Sequence, residues 1–124
     1  MISMKDVDAI GFVFVEVPKA IKRLMASAEE DIHTMDDYVF HQANAFINNH
    51  ITKRLKLDRD KIPWTIHKFG NTSSVSVPLT IISELKDKMQ GNKKLMLNAF
   101  GVRMAWATAI VPFCDCRISD IVEI

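Results

Sequence analysis

The chain has 124 residues, of which 48% are hydrophobic, and it carries sixteen basic and fifteen acidic side chains for a formal net charge of +1. This length fits one domain with a modest core, so residues 1–124 are treated as a single domain. The balanced charge argues against bulk attraction to nucleic acid. No apolar run reaches the ~20 residues that span a bilayer, and the N-terminus shows no secretory signal, so we expect a cytoplasmic protein without membrane contact.

Cysteine and histidine, the usual ligands of soft metals, are few and scattered. Cys114 and Cys116 are separated by one residue, which is too close for an ordinary disulfide loop, and two cysteines are too few for a zinc site. Three of the four histidines show no ligand spacing with one another: His33, His50 and His67. We therefore predict no metal site and no cofactor.

The N-terminal half shows short apolar runs that alternate with helical periodicity. Residues 10–15 are continuously apolar, which predicts a strand buried on both faces, and a helix is then expected to begin near Pro18. A second short strand is predicted at residues 38–40. Asn44 is the expected N-cap of the helix that follows. A third strand is predicted at residues 64–69.

The C-terminal half adds one helix and two strands. Ser73 or Ser74 can cap the helix. Residues 94–100 and 104–111 are separated by too few residues for a crossover, so these two strands should pair antiparallel. The order predicts an α/β fold, a three-layer α/β/α domain with a five-stranded, mostly parallel mixed sheet whose last strand is antiparallel. Residues 112–124 form a terminal extension that is either ordered or flexible.

Two polar side chains follow predicted strands, where open α/β sheets bind ligands. His41 precedes a helix N-terminus, whose dipole favours a neutral ring that can donate one hydrogen bond to an oxyanion. The alternative is a buried histidine bound to a backbone carbonyl. Asn71 follows Gly70, which allows positive φ or close backbone approach. Its carboxamide can donate to the same oxyanion, or it is a turn asparagine that caps its neighbours.

Three motifs in register resemble the C-terminal half of a β-ketoacyl-acyl carrier protein synthase III, a condensing enzyme of the thiolase fold. They are His41-Gln42-Ala43-Asn44, Gly70-Asn71-Thr72-Ser73, and Ala99-Phe100-Gly101 with Trp106. The resemblance implies an acyltransferase of fatty acid biosynthesis that condenses acyl-coenzyme A with malonyl-acyl carrier protein and releases carbon dioxide and coenzyme A. It assigns His41 and Asn71 to the malonyl thioester oxygen, as the two catalytic residues of this half.

The resemblance also implies substrate-binding positions. Asn44 would lie near the pantetheine arm, although a helix N-cap explains it equally well. Gly101 begins a loop that is glycine-rich in the family and contributes to the oxyanion region. Arg103 stands where the family has a glycine. Its side chain either blocks the approach, pairs with a phosphate or carboxylate, or is a solvated turn arginine.

A further departure concerns the acyl carrier protein. Well-known members carry an arginine that docks this acidic partner, and the matching position is Phe46. Three basic residues of the same segment either substitute for it or form a solvated helix end: Lys53, Arg54 and Lys56.

The family nucleophile is a cysteine of the N-terminal half, and neither Cys114 nor Cys116 matches it. We therefore expect this chain alone to be inactive, and expect its partners to be an N-terminal cysteine-bearing half or a second copy of the chain, besides acyl carrier protein and acyl-coenzyme A. A lone half would expose a large apolar face, which favours self-association. The alternative function is a non-catalytic binding or assembly module that keeps the half-fold.

Overall fold

The structure of the protein, a computed structural model, describes residues 4–101 and 105–124. Four helices and three strands follow one another in these residues: α1 (Met4–Ser27), β1 (Asp37–Phe40), α2 (Ala45–Arg54), α3 (Ile66–Phe69), α4 (Ser76–Glu84), β2 (Asn92–Gly101) and β3 (Ala105–Cys114). Single 3₁₀ turns connect them at Ile32–Thr34, Arg59–Lys61, Ser73–Val75 and Lys86–Lys88. Within the described helices, none combines the length and apolarity required to cross a membrane.

The strands form one mixed sheet in the order β1-β2-β3. β1 pairs parallel with β2, with Tyr38 opposite Met96. β2 pairs antiparallel with β3, with Phe100 opposite Trp106, so the predicted antiparallel last strand is confirmed. Over residues 4–101 and 105–124 the sheet thus has three strands, with one parallel and one antiparallel strand pairing, so the prediction of five mostly parallel strands is wrong for this part.

The first predicted strand, at residues 10–15, is wrong because this run lies inside α1. Pro18 also lies inside the helix, not at its start. A continuous apolar run fits a buried strand or a buried helix, and packing decides between them. The buried residues of α1 recur every fourth position, on the helix face that meets α2 and β3: Val13, Val17, Ile21 and Met25.

The third predicted strand, at residues 64–69, is also wrong. The Thr65 carbonyl accepts hydrogen bonds from the backbone N–H groups of Lys68 and Phe69, both at 2.9 Å. These bonds form the single turn of the short helix α3. The N–H groups of Thr65 and Ile66 donate to the side chain of Gln42. Because these donors are occupied by a side chain, the segment adds no strand to the sheet.

Alternate residues of β1 enter two separate cores. Tyr38 and Phe40 pack into the larger cluster with the buried faces of α1 and α2. Val39 points the other way, into a cluster with Leu85 against which Ile81 of α4 packs. Helices therefore cover both faces of the sheet, which confirms the three-layer α/β/α arrangement.

The C-terminal segment continues the second core. β3 extends to Cys114, beyond the predicted boundary at residue 112. Cys116 and Ile118 then pack against the smaller cluster. The last residues expose apolar side chains: Ile121, Val122 and Ile124.

Candidate active site

His41 is the first residue after β1, and two neighbouring elements hold its backbone. Its N–H donates to the carbonyl of Asn98 on β2 at 2.8 Å. Its own carbonyl accepts a hydrogen bond from Nδ2 of Asn48 on α2 at 3.2 Å. The sheet and the following helix therefore determine where the imidazole leaves the backbone.

The His41 side chain is half-buried and has one polar contact. Nδ1 lies 2.5 Å from Oγ of Ser76, the first residue of α4. The edge of the ring meets Phe100, with ring centroids 5.3 Å apart. Burial lowers the pKa of the imidazole below its usual value of 6.5, which favours the neutral ring at physiological pH. A neutral ring can donate one hydrogen bond to an oxygen that gains negative charge.

An open cavity of about 390 Å³ adjoins the ring. Serine side chains and His41 form its polar side, and small or aromatic residues of β2 and β3 form its apolar side. The lining residues are His41, Ser73, Ser74, Ser76, Val77, Ala99, Phe100, Gly101, Ala105, Trp106 and Ala107. The small side chains at this end of the hairpin leave room for a ligand that reaches the imidazole.

Gln42 fastens the strand end to the next loop, although the sequence analysis assigned it no role. It is buried, and its Nε2 donates to the Phe40 carbonyl at 2.9 Å. Its Oε1 accepts from the backbone N–H groups of Thr65 at 3.1 Å and Ile66 at 3.2 Å. Thr65 Oγ1 in turn lies 2.8 Å from Oγ1 of Thr80 on α4. One buried carboxamide therefore connects β1 with the segment that leads to α3.

Asn71 is exposed and lies outside the cavity lining. Its Oδ1 accepts from the backbone N–H of Ser73 at 2.9 Å, the geometry of a turn asparagine. Gly70 before it has φ +67°, so the positive φ that its lack of a side chain allows is observed. The structure thus brings His41, but not Asn71, to the cavity, and the oxyanion role of Asn71 stays a prediction.

The other predicted substrate-binding positions are only partly accounted for. Asn44 is the N-cap of α2, and its Oδ1 accepts from the Ile47 N–H at 2.8 Å. This confirms the cap and leaves the pantetheine contact a prediction. Gly101 lines the cavity, whereas Arg103 lies outside the described residues. Phe46 is 67% exposed and meets the edge of Phe14, with ring centroids 5.5 Å apart.

Ser76 is the second site residue that the sequence analysis missed. Ser73 and Ser74 were the expected caps, but the N-cap of α4 is Val75, and neither serine makes a side-chain cap. A signal was available, because Ser76 stands two residues before Pro78 at the start of the helical pattern. For Gln42 the signal was a polar residue directly after a buried strand.

Metal ligation finds no support in residues 4–101 and 105–124, which contain no group of three or more potential ligands. Cys114 and Cys116 are free thiols and lie outside the cavity lining.

The fold is shared with solved condensing enzymes. A crystal structure of 3-oxoacyl-(acyl-carrier protein) synthase from Burkholderia xenovorans LB400 superimposes with a TM-score of 0.86 and 35% identity, over 91% of this chain and 33% of that chain. The synthase III from Aquifex aeolicus has the same fold, with a TM-score of 0.80 at 22% identity over 90% of this chain and 36% of that chain. The chain therefore has the fold of the C-terminal part of a thiolase-like synthase.

Sequence comparison identifies the family. The chain is 36% identical over 104 residues to β-ketoacyl-[acyl-carrier-protein] synthase III of Streptococcus gordonii, covering 81% of this chain and 32% of that protein. It is 31% identical over 113 residues to the Lactococcus lactis enzyme, covering 89% of this chain and 35% of that protein. Residues 25–113 match the model for the 3-oxoacyl-[acyl-carrier-protein] synthase III C-terminal domain, so the chain belongs to this family. The chain spans about a third of the length of the curated relatives that it matches.

Proposed function

We propose that this chain supplies the C-terminal half of a decarboxylating condensing site of the 3-oxoacyl-acyl carrier protein synthase III type, in fatty acid biosynthesis. The observation that carries the proposal is His41, an imidazole at the end of β1 that lines an open cavity in a chain of this family and whose pKa is lowered by burial. Its role is to hold the thioester oxygen of a malonyl group.

The chemistry requires hydrogen-bond donors more than a base. Loss of carbon dioxide from a malonyl thioester leaves an enolate, whose charge develops on the thioester oxygen. Donors aimed at that oxygen stabilise the transition state more than the ground state and therefore raise kcat. A neutral imidazole suits this role because it can donate a hydrogen bond to the enolate oxygen. A charged ring would also bind the substrate carboxylate and would thereby stabilise the ground state.

Asn71 is the second proposed donor. Its Oδ1 is already occupied by the Ser73 N–H, so the amide NH₂ is the end that remains to donate. Ser73, two residues after Asn71, lines the cavity, which supports the proposal. In this proposal the carboxamide joins the imidazole on the same oxygen when the malonyl thioester is bound.

The remaining substrate contacts follow from the cavity. The pantetheine arm of acyl carrier protein or acyl-coenzyme A enters along the small residues of β2 and β3, with Gly101 at the base of the loop and Asn44 at the start of α2. Lys53 and Arg54 in the last turn of α2 offer positive charge to an acidic carrier protein. No further cofactor is part of the proposal.

A cysteine-bearing partner completes the proposed site. This chain spans about a third of the length of its relatives, and the nucleophile is proposed to come from an N-terminal cysteine-bearing half, whereas a second copy is proposed only to cover the exposed apolar face. Exposed aromatic side chains at Phe46 and Trp106 suit burial against such a partner. This chain by itself is proposed to be inactive.

The test is reconstitution. This chain is mixed with the N-terminal region of a relative, and release of labelled carbon dioxide from a malonyl thioester is measured. We expect His41→Ala and Asn71→Ala each to lower turnover roughly a hundred- to a thousandfold. His67→Ala, which changes an exposed histidine outside the cavity lining, is the matched control. Undiminished turnover in either site variant would remove that residue from its role.

Phe46 favours a second candidate, a non-catalytic binding or assembly module. Well-known members have a carrier-docking arginine at this position. The exposed aromatic ring of Phe46 suits an apolar protein–protein interface better than the acidic surface of a carrier protein. Binding of the N-terminal region without decarboxylation in the same reconstitution would support the module.

A further inference from the structure

We propose that Ser76 is a positioning residue that holds His41 in the tautomer with its proton on Nε2. The proposal rests on the proposed function and deepens it, because it names the atom that donates to the thioester oxygen. Ser76 is 1% exposed, and its Oγ lies 2.5 Å from Nδ1 of His41. The same Oγ accepts a hydrogen bond from the backbone N–H of Gln42 at 3.3 Å.

The direction of the His41–Ser76 hydrogen bond follows from counting protons. A hydroxyl group has one proton to donate and two lone pairs to accept with. A backbone N–H can only donate, so Gln42 occupies one acceptor position of Oγ and leaves the hydroxyl proton free. Nδ1 is the remaining contact of Oγ within the described chain. The hydroxyl proton is therefore available to Nδ1, and when it is donated there Nδ1 is the unprotonated nitrogen.

The opposite tautomer leaves a buried proton without a partner. If Nδ1 carried the proton, Oγ would accept from both the imidazole and Gln42. The hydroxyl proton of Ser76 would then have no acceptor among the described residues, at a position that water reaches poorly. The two tautomers thus differ in energy because of Ser76, and not because of the imidazole alone.

Other hydrogen bonds hold the backbone of Ser76 and its neighbours in place. The Ser76 carbonyl accepts from Oγ1 of Thr80 at 2.7 Å, and Thr80 Oγ1 also contacts Oγ1 of Thr65. Thr65 is tied through its N–H to the carboxamide of Gln42. The end of β1, the segment before α3 and the first turn of α4 are therefore joined around the imidazole.

The functional consequence concerns the transition state. With the proton on Nε2, the nitrogen that is free of Ser76 is a donor, as an enolate oxygen requires. With the proton on Nδ1, that nitrogen would present a lone pair and repel the same oxygen. Loss of the Ser76 hydroxyl should therefore lower kcat more than it raises KM.

A spectroscopic experiment tests the tautomer without any need for activity. The two ring nitrogens of His41 are observed by long-range ¹H–¹⁵N correlation in the full chain at neutral pH, and are assigned by their loss in His41→Gln. We expect one unprotonated nitrogen, Nδ1, and one protonated nitrogen, Nε2. In Ser76→Ala the separation between the two ¹⁵N shifts should contract towards that of free histidine, and Ser76→Thr should restore it.

Matched kinetics complete the test in the reconstituted enzyme. We expect Ser76→Ala to lower kcat roughly ten- to a hundredfold with little change in KM, because a donor is misplaced and not deleted. Ser83→Ala, on the same helix with its hydroxyl bonded to Glu84, should keep the wild-type kcat and the wild-type ¹⁵N separation.

The outcomes separate this proposal from the proposed function. A wild-type ring protonated on Nδ1, or an unchanged ¹⁵N separation in a folded Ser76→Ala, overturns the positioning role even if His41→Ala abolishes turnover. Full turnover in His41→Ala overturns the proposed function whichever tautomer is observed. Because the tautomer is read directly in the unmodified chain, a Ser76→Ala chain that fails to fold does not prevent the test.

Discussion

The carboxamide oxygen of Gln42 accepts a hydrogen bond from the backbone N–H of Thr65 at 3.1 Å and joins two segments that are distant in sequence. The same side chain also bonds the Ile66 N–H and the Phe40 carbonyl, so three backbone groups depend on it. Backbone groups of a connecting segment need partners when they are buried. Gln42 supplies them where a neighbouring strand would otherwise be required.

Replacement of Gln42 by leucine should therefore destabilise the fold strongly. Leaving a buried polar group unsatisfied costs about 1–3 kcal/mol, and we expect a loss of about 3 kcal/mol because several groups lose a partner at once. Urea unfolding monitored by far-UV circular dichroism gives the value. Gln90→Leu, at an exposed glutamine, is the control and should change the free energy of unfolding by less than about 0.5 kcal/mol.

Local sequence patterns were sufficient for the elements with local causes. The run at residues 38–40 is followed by His41 and a cap at Asn44, and the strand, the histidine position and the cap are all observed. The short connection after β2 allows only antiparallel pairing, which is also observed.

The errors arose where a distant partner decides the structure. Residues 10–15 are helical because α1 packs along α2 and β3, and a continuous apolar run does not carry that information. Residues 64–69 form no strand because the N–H groups of Thr65 and Ile66 bond Gln42, which lies 23 residues before Thr65. Ser76 escaped notice for the same reason, since its contact with His41 spans 35 positions.

Asn44 provides a test of the helix cap against a purely substrate-binding role. Its Oδ1 accepts from the Ile47 N–H, and loss of such a cap costs about 1 kcal/mol. We expect Asn44→Ala to lower the free energy of unfolding by this amount, and Asn44→Asp to retain it. Asn49→Ala, in the interior of the same helix, is the control and should not destabilise. Equal stability of the Asn44→Ala and wild-type chains would contradict the capping role.

The lowered pKa of His41 predicts a pH dependence of stability. Burial disfavours the charged ring, so the folded chain binds fewer protons than the unfolded chain below the ordinary pKa of 6.5. The stability linked to this residue is present above pH 6.5 and is lost as the pH falls through the folded-state value. Because the ring is only half-buried, the slope should stay below the ~1.4 kcal/mol per pH unit of one full proton.

Urea midpoints between pH 8 and pH 5 measure this dependence. His41→Gln should lose less stability on acidification than the wild-type chain, since glutamine does not titrate. His67→Gln, at an exposed histidine, is the control and should follow the wild-type curve. A His41→Gln curve parallel to the wild-type curve would show that the ring does not resist protonation.

Asn98 beneath the site is buried with only half of its carboxamide satisfied. Nδ2 donates to Oγ1 of Thr108 at 2.6 Å across the β2–β3 pair, while Oδ1 has no partner within the described residues. Removing one partner of a buried hydrogen bond costs about 1–3 kcal/mol, whereas replacing both by apolar groups is close to neutral. Thr108→Val should therefore destabilise by about 1–3 kcal/mol, and the double variant Asn98→Leu/Thr108→Val by less than the sum of the single changes.

A double-mutant cycle from urea unfolding measures this coupling. We expect the double variant to be more stable than additivity predicts by at least about 1 kcal/mol. Thr108→Val alone leaves the buried amide of Asn98 without a partner, whereas the double variant has no carboxamide left to satisfy. The backbone carbonyl of Asn98 still accepts the His41 N–H in every variant, so the position of the imidazole is preserved. Additivity within about 0.5 kcal/mol would instead indicate that the hydrogen bond from Asn98 Nδ2 to Thr108 Oγ1 contributes little to stability.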